Sequence, residues 1–122
     1  MTVTVDAREK WNDPGLDVAA GQSYRFEAAG VWKDASIQCG PDGYVSPNFI
    51  LRLAEGLRRA PKANWFALIG TTGRDEKSAF VIGKATTRAF ASSGALYFFA
   101  NDVSFKYGNN SGAVQLRMTR IA

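Results

Sequence analysis

Histidine is absent from this chain, and cysteine occurs once, at Cys39. Zinc sites built on Cys and His are thereby excluded, an internal disulfide cannot form, and no imidazole is available as a general base. The lone thiol is expected to fill space. No stretch approaches the roughly 20 apolar residues of a membrane helix, so no membrane span is expected. The opening Met1-Thr2-Val3-Thr4-Val5-Asp6 has neither the basic nor the apolar region of a signal peptide. The expectation is a cytoplasmic protein, released or surface-associated only by a route other than the classical signal. The net charge of +4 is scattered apart from one cluster at Arg52, Arg58, Arg59 and Lys62, which reads as a solvated rim, the alternative being contact with an anionic glycan, lipid head group or nucleic acid. No RNA-binding aromatic signature or recognition helix is present, so no nucleic-acid partner is expected.

What is there suits a globular fold. Apolar residues make up 46% of the 122 positions and charged residues 21%, enough to close one core in a chain too short for two. Residues 1–122 are read as a single domain. Short segments rich in β-branched and aromatic residues alternate with Gly, Pro, Asn and Asp, which predicts strands at 2–6, 23–31, 65–69, 79–82, 95–100 and 113–121. In Tyr24-Arg25-Phe26-Glu27-Ala28 and in Val114-Gln115-Leu116-Arg117-Met118, apolar and polar residues alternate. Such strands bury one face, here Phe26 and Leu116, and leave Arg25 and Arg117 in water. Leu96-Tyr97-Phe98-Phe99-Ala100 is apolar throughout and predicts a central strand covered on both faces. Turns are expected at Asp13-Pro14-Gly15, Ala20-Gly21-Gln22, Thr72-Gly73-Arg74 and Ser92-Ser93-Gly94. Six such strands predict an all-β antiparallel sandwich or barrel.

Between Trp32 and Asn64 the β pattern lapses, which suggests a functional excursion. Within it, Ser46 could cap a short helix beginning at Pro47, with Ile50, Leu53, Ala54 and Leu57 on one face packed down on the sheet. For Trp11, Trp32 and Trp65, core packing is favoured over ligand stacking.

Residues 101–112 join the last two strands and gather Asp102, Asn109, Asn110 and Ser111 around two glycines. Side-chain carboxylate and amide oxygens with backbone carbonyls are the usual supply for calcium. Asn-Asn-Ser-Gly is equally good turn chemistry, so composition alone leaves both readings open.

Asn101-Asp102-Val103, followed by Tyr107-Gly108-Asn109-Asn110-Ser111-Gly112, resembles the LecA-type bacterial lectins, which are calcium-dependent and galactophilic. Ala28-Ala29-Gly30, Gly40-Pro41-Asp42-Gly43 and Leu68-Ile69-Gly70 extend the resemblance more sparsely over nearly the whole chain. It implies a jelly-roll, galactose-binding-domain-like sandwich that binds a galactose-like glycan through Ca2+ and assembles as a homo-oligomer, a tetramer in that family. Its implied metal ligands are the side chains of Asp102, Asn109 and Asn110, with the carbonyls of Lys106 and Asp34. About two positions then remain open to vicinal sugar hydroxyls, with sugar contacts at Asp102, Val103, Lys106 and Asn109.

This chain departs from the family at two places. The family's loop His and Gln for the outer sugar hydroxyl are missing, with Ser46-Pro47-Asn48 in that region, and Ser104-Phe105-Lys106 replaces a smaller stretch containing Pro and Gly. Galactose specificity is therefore not carried over. The expected function is a carbohydrate-binding lectin without catalysis; the alternative is a structural or protein-interaction domain of the same fold that has lost sugar binding. A glycosidase would need two carboxylates about 5 to 9.5 Å apart, and no spacing among the four Glu and seven Asp singles out a pair.

Overall fold

The computed structural model describes residues 1–46 and 52–122. In chain order the strands are β1 (Thr2–Asp6), β2 (Asp17–Val18), β3 (Ser23–Asp34), β4 (Ile37–Cys39), β5 (Asp42–Tyr44), β6 (Trp65–Thr72), β7 (Phe80–Val81), β8 (Ala85–Ala89), β9 (Gly94–Ala100) and β10 (Asn110–Arg120). They form two five-stranded antiparallel sheets. The first runs β1-β10-β3, with β4 and β8 sharing the far edge of β3; the second runs β2-β9-β6, with β5 and β7 sharing the far edge of β6. Pairing is nested: β1 with β10, β2 with β9 and β3 with β8. The chain is thus rolled up in jelly-roll fashion, and all six expected strands are present.

The alternation expected from the sequence is realised. Phe26 and Leu116 are fully buried, while Arg25 and Arg117 face solvent. The two sheets close over Val5, Trp32, Val114 and Met118 from one side and Phe66, Leu68, Leu96 and Phe98 from the other. β9 is central, and a second small cluster of Ala63, Ala67, Ile69 and Phe99 covers its other face, with Trp11 and Ala60 packed on top. Trp32 and Trp65 are buried, as core packing requires, and Trp11 stands edge-on to Phe99 at 5.6 Å.

The 32–64 excursion contains more order than its sequence pattern suggests, because β3 continues to Asp34 and two three-residue strands, β4 and β5, follow. Strands this short display no period. The expected helix lies partly outside the described residues, since positions 47–51 fall there, Ile50 included. Residues 52–53 are helical and a 3-10 turn follows at Glu55–Leu57. Leu53 and Leu57 are 72% and 63% exposed. Among the described residues, Leu53 and Leu57 therefore do not pack on the sheet as expected, and the segment after residue 53 is a tight turn.

One glycine is indispensable to this end of the sandwich. Gly43 has φ +71, and a Cβ there would collide with the Trp65 carbonyl and the Ala67 amide nitrogen on the neighbouring strand. The facing residue, Phe66, adopts φ +61 and sends its ring edge-on to Trp32 at 5.7 Å. A non-glycine residue in this region is held only by strong surroundings; here burial and the bond from the Phe66 N–H to the Asn101 carbonyl at 2.7 Å supply them.

Candidate functional site

The 101–112 segment leaves β9 at the same end of the sandwich as Gly43. Its first residue turns out to be structural. Asn101 is fully buried, accepts from the Ala60 N–H at 2.9 Å, and donates its amide to the carbonyls of Ala60, Ala63 and Asn64. It binds the preceding 60–64 loop to the end of β9, and it pairs the Ala60 N–H and the Ala63 carbonyl, which have no backbone partner of their own.

Asp102 follows, 3% exposed. Its Oδ1 accepts the Val103 N–H at 2.7 Å, and its Oδ2 is buried with no hydrogen-bond partner. Burial pushes its carboxyl up to about 6, with the nearby Asp34 charge adding to the rise, while the Val103 N–H, the Asn110 side chain and the Lys106 charge pull the other way. Asn110 opens β10 directly opposite Asp34 in β3. Its amide donates to the Ala7 carbonyl at 2.9 Å, which leaves the side-chain Oδ1 as a second buried oxygen with no partner. Two unpaired buried acceptors in adjacent elements are costly, at about 1–3 kcal/mol each.

A pocket of about 200 Å³ brings together Asp34, Asp102, Val103, Lys106 and Asn109, with Ala54, Leu57, Trp65 and Phe105 on its walls. All the sequence-predicted site residues thus converge except that Asn110 lies beneath, reaching Asp102 from its buried position. Asn109 is exposed, and its carbonyl accepts the Ala35 N–H at 3.2 Å, tying the loop to the turn after Asp34. Lys106 is also exposed, and its Nζ lies 6.0 Å from the centre of the Phe105 ring, itself 73% exposed. The ammonium thus follows an exposed ring.

Two residues that the sequence reading assigned otherwise belong to the frame of this site. Arg59, expected on a solvated rim, is 6% exposed. Its guanidinium lies 3.6 Å from the centre of Phe99 and 4.4 Å from that of Trp11, donates to the Lys10 carbonyl and the Tyr107 hydroxyl, and pairs with Glu76 at 2.8 Å. Arg58 donates to the Glu55 and Pro61 carbonyls and stands over Trp65 at 5.1 Å. Neither is a free surface charge. The flat, amphipathic guanidinium is what allows burial against rings, and no local sequence pattern announces it.

Asp34 was expected to serve through its carbonyl. Its side chain also lines the pocket, with Oδ2 accepting the Tyr44 hydroxyl at 2.5 Å. Burial and this bond raise the Tyr44 phenol well above its ordinary value, so it remains a donor. Among the described residues no group of three or more His, Cys, Asp and Glu is placed to hold a metal. A cation here would rest on a mixed cage of few carboxylates plus amide and carbonyl oxygens. Calcium tolerates such a cage, and the two unpaired oxygens of Asp102 and Asn110 fit its demand.

No known protein family and no curated protein matches this chain by sequence. Among solved structures, a domain described as "EclA N-terminal domain; PllA-like lectin" matches with a TM-score of 0.76 and 18% identity, covering 98% of this chain and 95% of that one. Identity this low speaks for the fold alone. The β-sandwich described above is the fold of a PllA-like lectin domain.

Proposed function

We propose that the protein is a calcium-dependent carbohydrate-binding lectin without catalytic activity, and that its site is the pocket at Asp102. The observation that carries the reading is the pair of buried, unpartnered side-chain oxygens, Asp102 Oδ2 and Asn110 Oδ1, at the two ends of the site loop. Buried acceptors are seldom left unpaired without a reason, and a cation is the reason this donor set suits. The side chains of Asp102, Asn109 and Asn110 and the carbonyls of Lys106 and Asp34 would hold the ion.

When bound, calcium supplies Lewis-acid contacts to a pair of vicinal sugar hydroxyls. The chain does the rest. Asp102 and Asn109 are the acceptor and amide closest in kind to those hydroxyls, Lys106 offers its carbonyl, and Val103 walls the pocket floor. The lectin description of the matched domain favours a carbohydrate ligand, and the sequence resemblance of residues 101–112 suggests a galactose-like glycan. One shallow pocket per subunit binds weakly, and a homo-oligomer such as a tetramer would raise its avidity.

Isothermal titration of calcium into the parent and into Asp102→Ala tests the site, followed by a galactoside at saturating calcium. Heat in the parent and none in the variant is expected. Equal heats in both would remove the metal site and the lectin reading with it.

A further inference from the structure

The pocket holds a second carboxylate that the calcium cage does not require. Asp34 is the last residue of β3, fixed by backbone pairing to Asn110 of β10 on one side and to Ile37 of β4 on the other. Tyr44 belongs to the opposite sheet, in register with Trp65 of β6. Its hydroxyl bond to Asp34 Oδ2 therefore joins the two sheets at the pocket and sets the angle of the carboxylate. Oδ2 is thereby engaged by the phenol. Among the described residues no protein donor reaches Oδ1 of Asp34, and the residue is half-buried where Asp102 is almost wholly enclosed.

An anchored carboxylate with one free oxygen in a pocket is an acceptor awaiting a donor, and its charge decides which ligands enter. Resting on the sugar site proposed above, we infer that Asp34, positioned by Tyr44, selects the glycan: Oδ1 accepts a hydroxyl beside the calcium-bound diol, and the charge turns away sugars that carry a carboxylate. Neutral hexosides and amino sugars are the ligand class this admits. Uronic acids are the class it excludes. Asp34 would touch the ligand, and Tyr44 would act through it as a positioning residue.

The experiment uses the parent, Asp34→Asn and Tyr44→Phe, each checked by thermal melting and titrated first with calcium alone. At saturating calcium each then receives a methyl galactoside, galactosamine and a methyl galactosiduronate. The parent is expected to prefer the neutral glycoside over the uronate by about tenfold or more, because a like charge across a pocket is repelled. Asp34→Asn should narrow that ratio to under about threefold, and the tighter binding of galactosamine expected in the parent from its ammonium beside the Asp34 carboxylate should be lost. Tyr44→Phe should weaken the neutral glycoside by about threefold while calcium affinity stays within about twofold. An unchanged uronate ratio in Asp34→Asn overturns the inference. So does a tenfold loss of calcium affinity in that variant, which would make the Asp34 carboxylate, and not only its carbonyl, a metal ligand. Absence of any sugar heat in the calcium-loaded parent overturns the lectin reading as well, whereas intact sugar binding with unchanged discrimination overturns this inference alone.

Discussion

Arg59 and Tyr107 meet beneath the 101–112 loop: the guanidinium Nη1 donates to the phenol oxygen at 2.8 Å, and the phenol in turn donates to the Ala100 carbonyl at 2.5 Å. The chain of bonds runs from the 55–64 loop through the site loop to the end of β9. Both loops are held by it, although neither residue reaches the pocket itself.

Arg59→Ala should therefore destabilise the fold by about 3 kcal/mol, the cost of breaking a buried, hydrogen-bonded cation out of its partners. Arg58→Ala, on the more open side, should cost about 1 kcal/mol. Urea midpoints of the two variants give the comparison. Values equal to the parent for both would restore the solvated-rim reading of the basic cluster.

Gly43→Ala should lose more than about 2 kcal/mol, since it combines a positive φ with a collision against the backbone of β6. Gly108, inside the site loop, has open space around its Cβ position and no positive φ. Gly108→Ala should stay within about ±0.5 kcal/mol. The two midpoints measured side by side distinguish a backbone requirement from a motif glycine that merely marks a turn.

Asp102→Asn separates function from stability. Asparagine keeps an acceptor for the Val103 N–H and removes a buried charge that has no partner on Oδ2. In chelator the variant should melt higher than the parent, by the equivalent of about 1 kcal/mol. With millimolar calcium the order should reverse, because only the parent gains from a ligand that binds the folded state. A variant less stable than the parent in chelator would show that the charge is already satisfied.

Cys39 offers a check on burial around the pocket. Its thiol is pushed up to about 11, first by burial and then by the nearby Asp34 charge. At pH 8 roughly one thiol in a thousand is then ionised, against about one in four for an unfolded cysteine. Alkylation by iodoacetamide at pH 8 should be slow in the folded protein and fast in urea. Equal rates would place the thiol in water.

How much of this was readable beforehand depended on distance along the chain. The alternation around Phe26 and Leu116 and the apolar run ending at Ala100 are local patterns, and the sheets follow them. The candidate loop drew attention through its oxygen-bearing side chains, and of the residues named for it Asp34, Asp102, Lys106 and Asn109 line one pocket. β4 and β5 were missed because three residues are too few to show a period. Asn101 was read only as part of a motif, since the carbonyls it binds belong to residues 37 to 41 positions earlier. The burial of Arg59 depends on Tyr107, 48 residues away, and no composition rule reports such a meeting.

The Asn110 amide is oriented by the Ala7 carbonyl, across 103 positions of sequence. Contacts of such span form late, after most of the loop-closure entropy has been met. The oxygen that Asn110 would lend to the proposed cage thus comes into place only when the first and last strands have closed on one another. An ion that depends on it has nothing to grip in a half-folded chain. Under the proposed function, calcium should accordingly leave the refolding rate unchanged and slow unfolding alone, so that an ion held there would lock the finished sandwich without guiding its assembly.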